Sequence, residues 1–161
     1  MTTLIEKLAG IPTGSKLGAA LKTRAEVLRL SEAAHDAVLV PRDPGGLSHA
    51  LRAALAARMC RHLGSAALVA HYDGYLAHSG DADVAALAQP GGVSGDPRQD
   101  AMARHADLLT LSPRNATRGD IEALRSAGVG EPDIVRLSEL AAFVNYQLRV
   151  VAGLVLLRDA S

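Results

Sequence analysis

The chain has 161 residues, enough for one domain with a sizeable core, and its 17 basic residues equal its 17 acidic ones in number. A net charge of zero provides no long-range attraction to nucleic acid or to an anionic membrane, so neither partner is expected. Hydrophobic residues make up 48% of the chain, yet Trp is absent and Phe occurs once, which favours an all-α fold with a core of Ala, Leu and Val over a β-sandwich.

The N-terminal segment, residues 1–22, contains three glycines and a proline among scattered apolar residues. Its composition predicts an N-terminal arm or lid made of short helical pieces joined by turns. Glu6 and Lys7 interrupt the apolar core that a signal peptide needs. No run elsewhere approaches the roughly 20 apolar residues of a membrane span, so we expect no membrane-spanning helix.

A stripe of apolar residues three or four apart predicts a helix from Thr23 onwards. The stripe consists of Val27, Leu30, Ala34 and Val38. The segment PRDPGG, residues 41–46, should end this helix and form a linker, because two prolines and two glycines cannot continue the helical hydrogen bonds.

Two helices separated by a break at Gly64 are predicted in the centre of the chain. Ser48 is positioned to cap the first helix, and Ser65 to cap the second, which should run to about Ala77. Cys60 is the single cysteine of the chain, so no internal disulfide can form. Together with the missing signal peptide, this favours a cytoplasmic protein.

Further along the chain, a short helix is predicted near Val84–Ala88 and a longer one over residues 99–111. Thr117 and Asp120 have the spacing of a capping box, and Gly128 is a typical glycine at a helix C-terminus. A short helix with both ends marked is therefore expected between them.

The longest predicted helix begins at Pro132, because proline favours the first helical position. Apolar residues at alternating spacings of three and four mark its buried face. These residues are Ile134, Leu137, Ala141, Val144, Leu148, Val151 and Val155. The end of the helix, residues 150–157, is apolar all round and should be covered by the rest of the domain or by another subunit. We therefore expect a homo-oligomer.

Residues 107–154 resemble the C-terminal part of proteins in the carboxymuconolactone decarboxylase and alkylhydroperoxidase D superfamily, especially its peroxidase-related branch. The resemblance lies in the capped short helix, the glycine turn, and the Asn and Arg at the spacing of Asn145 and Arg149. Residues 47–72, LSHALRAALAARMCRHLGSAALVAHY, resemble the core helical segment of that superfamily. The resemblance implies an all-α helical bundle, a single domain with a core helical hairpin and a long C-terminal helix.

In active relatives the core segment resembles the pattern E-x11-C-x2-C-x3-H, whose two thiols reduce peroxide or exchange with a dithiol partner. On this sequence the glutamate position falls on Arg52, the cysteines on Gly64 and Ala67, and the histidine on His71. Only the histidine matches. The resemblance therefore supports the fold but removes the nucleophile, because neither Gly nor Ala can form a thiolate.

Cys60 is the remaining thiol, and it lies 11 residues before His71. In one unbroken helix that separation is about 16 Å of rise, too far for proton transfer. A buried thiol that acts as a small hydrophobe is the favoured interpretation. His71 is a structural histidine, a general base or a metal ligand, in that order of preference. The histidines show no zinc-binding spacing, so no metal site is expected.

Three polar residues are candidates for binding an anionic substrate. Asn145 and Arg149 share one face of the long helix and form either a structural polar network or an anion site. Arg52 places a cation where active relatives carry an acid, so it either attracts a carboxylate or points into water.

Three functions are compatible with these residues. The first is a superfamily member without the redox pair, acting as a subunit, with a cysteine-bearing relative as a possible partner, or binding a small molecule. The second is a cofactor-free acid/base enzyme of the decarboxylase or lyase type, in which His71 moves a proton and Arg52 or Arg149 holds an anion. The third is a peroxidase that uses Cys60. No cofactor is expected in any of them.

Overall fold

The computed structural model describes residues 2–78 and 81–160, and within these residues the chain forms helices and no strand. The all-α prediction is confirmed. Met1 and Ser161, the ends of the predicted domain, lie outside the described residues. The helices are α1 (Leu4–Leu8), α2 (Lys16–Leu21), α3 (Ala25–Leu39), α4 (His49–His62), α5 (Ala66–Ala77), α6 (Ala82–Ala86), α7 (Pro97–Leu111), α8 (Arg118–Ser126) and α9 (Glu131–Asp159), with short 3-10 turns at Lys22–Arg24 and Pro113–Asn115.

Helix α4 lies at the centre of the fold. Every residue from Leu51 to Cys60 is buried, and four of these residues are alanines. The helix packs against α3, α5, α6, α7 and α9. A helix that is apolar nearly all round must be enclosed, and small side chains let its neighbours approach closely. Ser48 caps this helix by accepting a hydrogen bond from the backbone N–H of Leu51, as predicted.

Helices α4 and α5 form the core hairpin, with a break at Gly64. Gly64 has a φ of +70°, and the N–H of Ser65 donates to the carbonyl of Cys60 at 3.1 Å. A glycine in the left-handed conformation, followed by an N–H that bonds to a carbonyl of the last turn, is a common C-terminal cap of a helix. The predicted break is confirmed, but the side chain of Ser65 does not cap α5, so that part of the prediction was wrong.

The buried face of α3 differs from the predicted one. Val27 and Leu30 of the predicted stripe are 50% and 52% exposed. The residues that point into the protein are Leu28, Ser31, His35 and Leu39. The difference is one residue, or a rotation of about 100° around the helix axis. It arises because Ser31 and His35 find hydrogen-bond partners on α9 and α5.

The predicted boundaries of α8 are confirmed. The carboxylate of Asp120 accepts hydrogen bonds from the N–H of Thr117 at 2.7 Å and from its hydroxyl at 2.8 Å, which completes the capping box. Gly128 ends the helix with a φ of +87°. Both ends are set by local hydrogen bonds, so the sequence was sufficient to place them.

Helix α9 crosses the whole structure. Its predicted stripe is buried from Ile134 to Val151, and Val155 is half-buried. The helix contains an 18-residue window with a mean hydropathy of 1.7, so by length and composition it could cross a membrane, and 44% of that window is buried inside the structure. The expectation that no such run exists was wrong. Core helices of soluble proteins have the same property, so the window alone does not indicate a span.

The first and the last helix are in contact. Helix α1, the first part of the predicted arm, packs against α3 and α9 and buries Ile5 and Ala9. Arg158 donates a hydrogen bond to the carbonyl of Ala9 at 2.7 Å. The end of α9 is only partly covered, because Leu156 and Leu157 remain 72% and 56% exposed. The expected homo-oligomer stays a prediction.

Candidate functional site

Cys60 is fully buried in the core. Burial raises the pKa of its thiol to about 12. A thiol with that pKa is almost entirely protonated at neutral pH, and the thiolate is the reactive form. The geometry agrees with the interpretation of Cys60 as a small core hydrophobe and leaves a peroxidase without a nucleophile.

Arg52 is buried as well, so the expectation that it points into water or holds a substrate carboxylate was wrong. Its three guanidinium nitrogens donate to the backbone carbonyls of Leu47 at 2.9 Å, Val38 at 2.7 Å and Pro44 at 3.1 Å. These bonds tie α4 to the end of α3 and to the linker 41–46. Arg52 therefore has a structural role, and its three hydrogen bonds compensate the cost of burying its charge.

Asn145 and Arg149 form the polar network predicted for α9. The amide of Asn145 donates to the hydroxyl of Thr110 at 3.1 Å and to the carbonyl of Ala141 at 3.0 Å. Arg149 donates from Nη1 to the backbone oxygen of Asn145 at 2.8 Å and to its side-chain oxygen at 3.0 Å. Arg149 is exposed, and no carboxylate of the described residues pairs with it. Asn145 thus orients an accessible cation.

An apolar groove of about 570 Å³ lies between the start of α5 and the end of α9. It contains both positions at which the resemblance places thiols, Gly64 and Ala67, and it is also lined by Leu63, Val155 and Arg149. A Cβ on Gly64 would meet no atom within 4 Å. The groove therefore combines an apolar lining, open space at the positions where the resemblance places thiols, and the cation of Arg149.

His71 forms a pair with a histidine that sequence reasoning did not single out. Its Nε2 lies 2.9 Å from Nε2 of His35, and Nδ1 of His35 lies 2.9 Å from a carboxylate oxygen of Asp36. His35 is buried, whereas His71 is half-buried and lines a cavity of about 480 Å³ together with Gly74, Tyr75 and His78. His35 was missed because the apolar stripe of α3 was assigned to the neighbouring face.

The charge state of the pair follows from its surroundings. Burial, and then the neighbouring His35, lower the pKa of His71 to about 4, so His71 is neutral at neutral pH. An ionised carboxylate can only accept, so Nδ1 of His35 donates to Asp36. When His35 is neutral, its Nε2 must therefore accept, and Nε2 of His71 donates. These tautomers are assigned from the hydrogen-bond network.

The structure separates the residues that the acid/base hypothesis combined. Arg149 lines the apolar groove, His71 lines the other cavity, and Arg52 is buried against the linker. No described cation lines the cavity of His71. Residues 2–78 and 81–160 also contain no cluster of three or more His, Cys, Asp or Glu side chains that could hold a metal ion.

Comparison with known proteins identifies the fold. No family model matches the sequence, and neither does any curated protein. The structure is similar to the crystal structure of an uncharacterized peroxidase-related protein from Silicibacter sp. TM1040, with a TM-score of 0.70 and 22% identity over 80% of this chain and 68% of that chain. The chain has an alkylhydroperoxidase D-like fold. At this identity the similarity shows the fold alone, so function has to be argued from the two cavities.

Proposed function

We propose that the protein is a member of the carboxymuconolactone decarboxylase and alkylhydroperoxidase D superfamily that binds a small amphipathic anion and carries out no thiol redox chemistry. The observation that carries the proposal is the apolar groove. Gly64 and Ala67 line it where redox-active relatives would present sulfur, and Arg149 lies at its edge.

The protein has no reactive sulfur atom for thiol redox chemistry. Neither position in the groove can form a thiolate, and the one thiol of the chain is enclosed in the core with a raised pKa. Reduction of a peroxide needs a thiolate that the peroxide can reach. The proposal therefore keeps the fold of the superfamily and removes its sulfur cycle.

Ligand binding is supported by the size and lining of the groove. Its volume is within the range of small-molecule sites, which are mostly apolar with a few placed polar groups. Leu63, Val151 and Val155 offer contacts for a hydrocarbon body. Arg149 is held by Asn145 and is unpaired with any carboxylate of the described residues, so it suits a carboxylate head group. A medium-chain fatty acid combines both features.

Isothermal titration with decanoate tests the binding site. We expect saturable binding that is weakened about tenfold in Arg149→Gln, because one charge-assisted contact is lost. Arg118→Gln is the matched control, since Arg118 has a side chain 92% exposed and lies outside the groove. Ala67→Phe should abolish binding by filling the groove. Equal binding of decanol and decanoate, or an unchanged affinity in Arg149→Gln, would contradict the proposal.

A peroxide assay tests the absence of redox chemistry separately. With an organic hydroperoxide and a dithiol reductant, we expect consumption at the rate of the buffer alone. Fast turnover that disappears in Cys60→Ser would show that the buried thiol is reached after all, and the non-redox assignment would then be wrong.

A further inference from the structure

The aromatic residues of the chain are gathered at one place. The protein has only three Tyr, one Phe and no Trp. Tyr72, Tyr75 and Phe143 contact the pair formed by His35 and His71, and Tyr146 packs against Phe143. In these contacts the ring centroids lie 5.0 to 6.2 Å apart. A chain so poor in aromatic residues has an aromatic wall only around this histidine pair.

One nitrogen of the pair is unpaired among the described residues, and it belongs to His71, which lines the cavity. Nδ1 of His71 makes no hydrogen bond with any described residue and is not among the buried unpaired atoms. The other three ring nitrogens are engaged between His35, His71 and Asp36. With His35 neutral, Nδ1 of His71 carries a lone pair, so the site presents a hydrogen-bond acceptor to an incoming molecule.

We infer that His35 and His71 form a proton-accepting relay for a neutral aromatic hydroxyl compound, a phenol, bound in the cavity beside Tyr75. His71 is the catalytic residue of this second site, and His35 and Asp36 are positioning residues. The site is separate from the apolar groove, and the inference does not depend on the anion-binding proposal.

The proton transfer balances without any oxidant or reductant. The O–H bond of the phenol breaks and an N–H bond forms at Nδ1 of His71. The proton on Nε2 of His71 moves across the 2.9 Å hydrogen bond to Nε2 of His35. The products are a bound phenolate and an imidazolium on His35, which is hydrogen-bonded to the carboxylate of Asp36. His71 is neutral before and after the transfer, so its resistance to carrying charge does not oppose the step.

The cavity favours a neutral aromatic molecule over an anion. No Lys or Arg lines it, whereas Tyr75, His71 and His78 offer ring surfaces. Gly74 leaves room above the helix, because a Cβ there would meet no atom within 4 Å. A bound aromatic ring that stacks on one of these rings would gain about 0.5 to 1.5 kcal/mol of binding free energy beyond the contribution of the buried area.

The titratable groups around the pair belong to three helices. On α3, the carboxylate of Asp36 is hydrogen-bonded to Nδ1 of His35 at 2.9 Å. Burial raises the pKa values of Tyr72 and Tyr75 on α5, so both remain neutral while the histidines titrate. Tyr146 on α9 is hydrogen-bonded to Ser31 at 2.8 Å, and its ring contacts Phe143.

Nitrogen-15 NMR of histidine-labelled protein tests the relay directly. We expect His71 to carry its proton on Nε2 when the pair is neutral. On acidification the pair should take up one proton, His35 should become doubly protonated, and the proton of His71 should move to Nδ1. Asp36→Asn replaces an obligate acceptor by a group that can also donate, so His71 should no longer carry its proton on Nε2 alone. His49→Gln changes a histidine outside the pair and should leave the tautomers unchanged. Double protonation of His71 before His35, or no change of tautomer, would overturn the relay.

Para-nitrophenol tests the substrate class, because its visible absorption distinguishes phenol from phenolate. We expect saturable binding with a phenolate band below the pH at which the free compound ionises. His35→Gln keeps a hydrogen-bonding side chain but cannot store the proton, so the compound should bind and stay protonated. His49→Gln should behave as the wild type. Absence of saturable binding, or a phenolate band that persists in His35→Gln, would sink the inference.

Discussion

The two ends of α5 present opposite kinds of surface. Its start, with Gly64 and Ala67, opens into the apolar groove, where small residues leave space and only Arg149 brings charge. Its later half places His71 against His35 and an aromatic wall. The comparison shows that one helix presents an apolar surface without thiols at its start and a polar histidine pair in its later half. His35 and Asp36 lie outside residues 47–155, to which the family resemblance extends.

The reactivity of the Cys60 thiol is the strongest test of this comparison, because a reactive thiol would bring sulfur chemistry back to the hairpin. With a pKa of about 12, Cys60 should form thiolate about 10³-fold less than an ordinary cysteine at neutral pH, before any steric protection is counted. Labelling with a chromogenic disulfide should therefore be at least that much slower in the native state than in urea. Comparable rates in the two states would mean that the core opens to reagents and that sulfur chemistry has to be reconsidered.

Arg52→Met should destabilise the whole fold, because Arg52 holds the end of α3 and the linker against α4. We expect a loss of about 2 to 4 kcal/mol in the free energy of unfolding, since three backbone carbonyls lose their donor. Urea denaturation measures the loss. The exposed Arg42 on the same linker provides the control, and Arg42→Met should change stability by less than about 0.5 kcal/mol. Similar small changes in both variants would refute the structural role.

His71 should contribute a defined part of the dependence of stability on pH. The pKa of His71 falls from its ordinary 6.5 to about 4 on folding, so the unfolded chain binds the proton more tightly. The contribution of His71 to the free energy of unfolding is fully present above its pKa in the unfolded chain. It is lost as the pH falls toward about 4, which lowers the stability by about 2 to 3 kcal/mol. Unfolding curves of His71→Gln should lack this part of the decline. A wild-type decline that survives the substitution would place its origin elsewhere.

Two glycines on α5 and its preceding turn should respond with opposite signs. Gly64 has a φ of +70°, so Gly64→Ala should destabilise the protein by about 1 kcal/mol. Gly74 is inside the helix with open space around it, so Gly74→Ala should stabilise by up to about 1 kcal/mol. Thermal unfolding of the pair measures both. The same strain opposes a cysteine at position 64.

Sequence reasoning predicted some residues of the site and missed others for identifiable reasons. It selected Arg149 and His71, and both line cavities. It misplaced Arg52, because a cation surrounded by alanines on α4 was not matched with the carbonyls of the linker that receive it. It passed over His35, because apolar residues one position away formed a more regular stripe.

The sequence by itself determined the helical class and the ends of α4 and α8. Capping side chains, left-handed glycines and prolines act over three or four residues, so their effect is legible without knowledge of the partners. Only the tertiary structure decided which face of α3 is buried and which histidine meets His71. The reason is energetic: a polar side chain enters the core when a partner compensates its desolvation, and the partner of His35 lies 36 residues away on another helix.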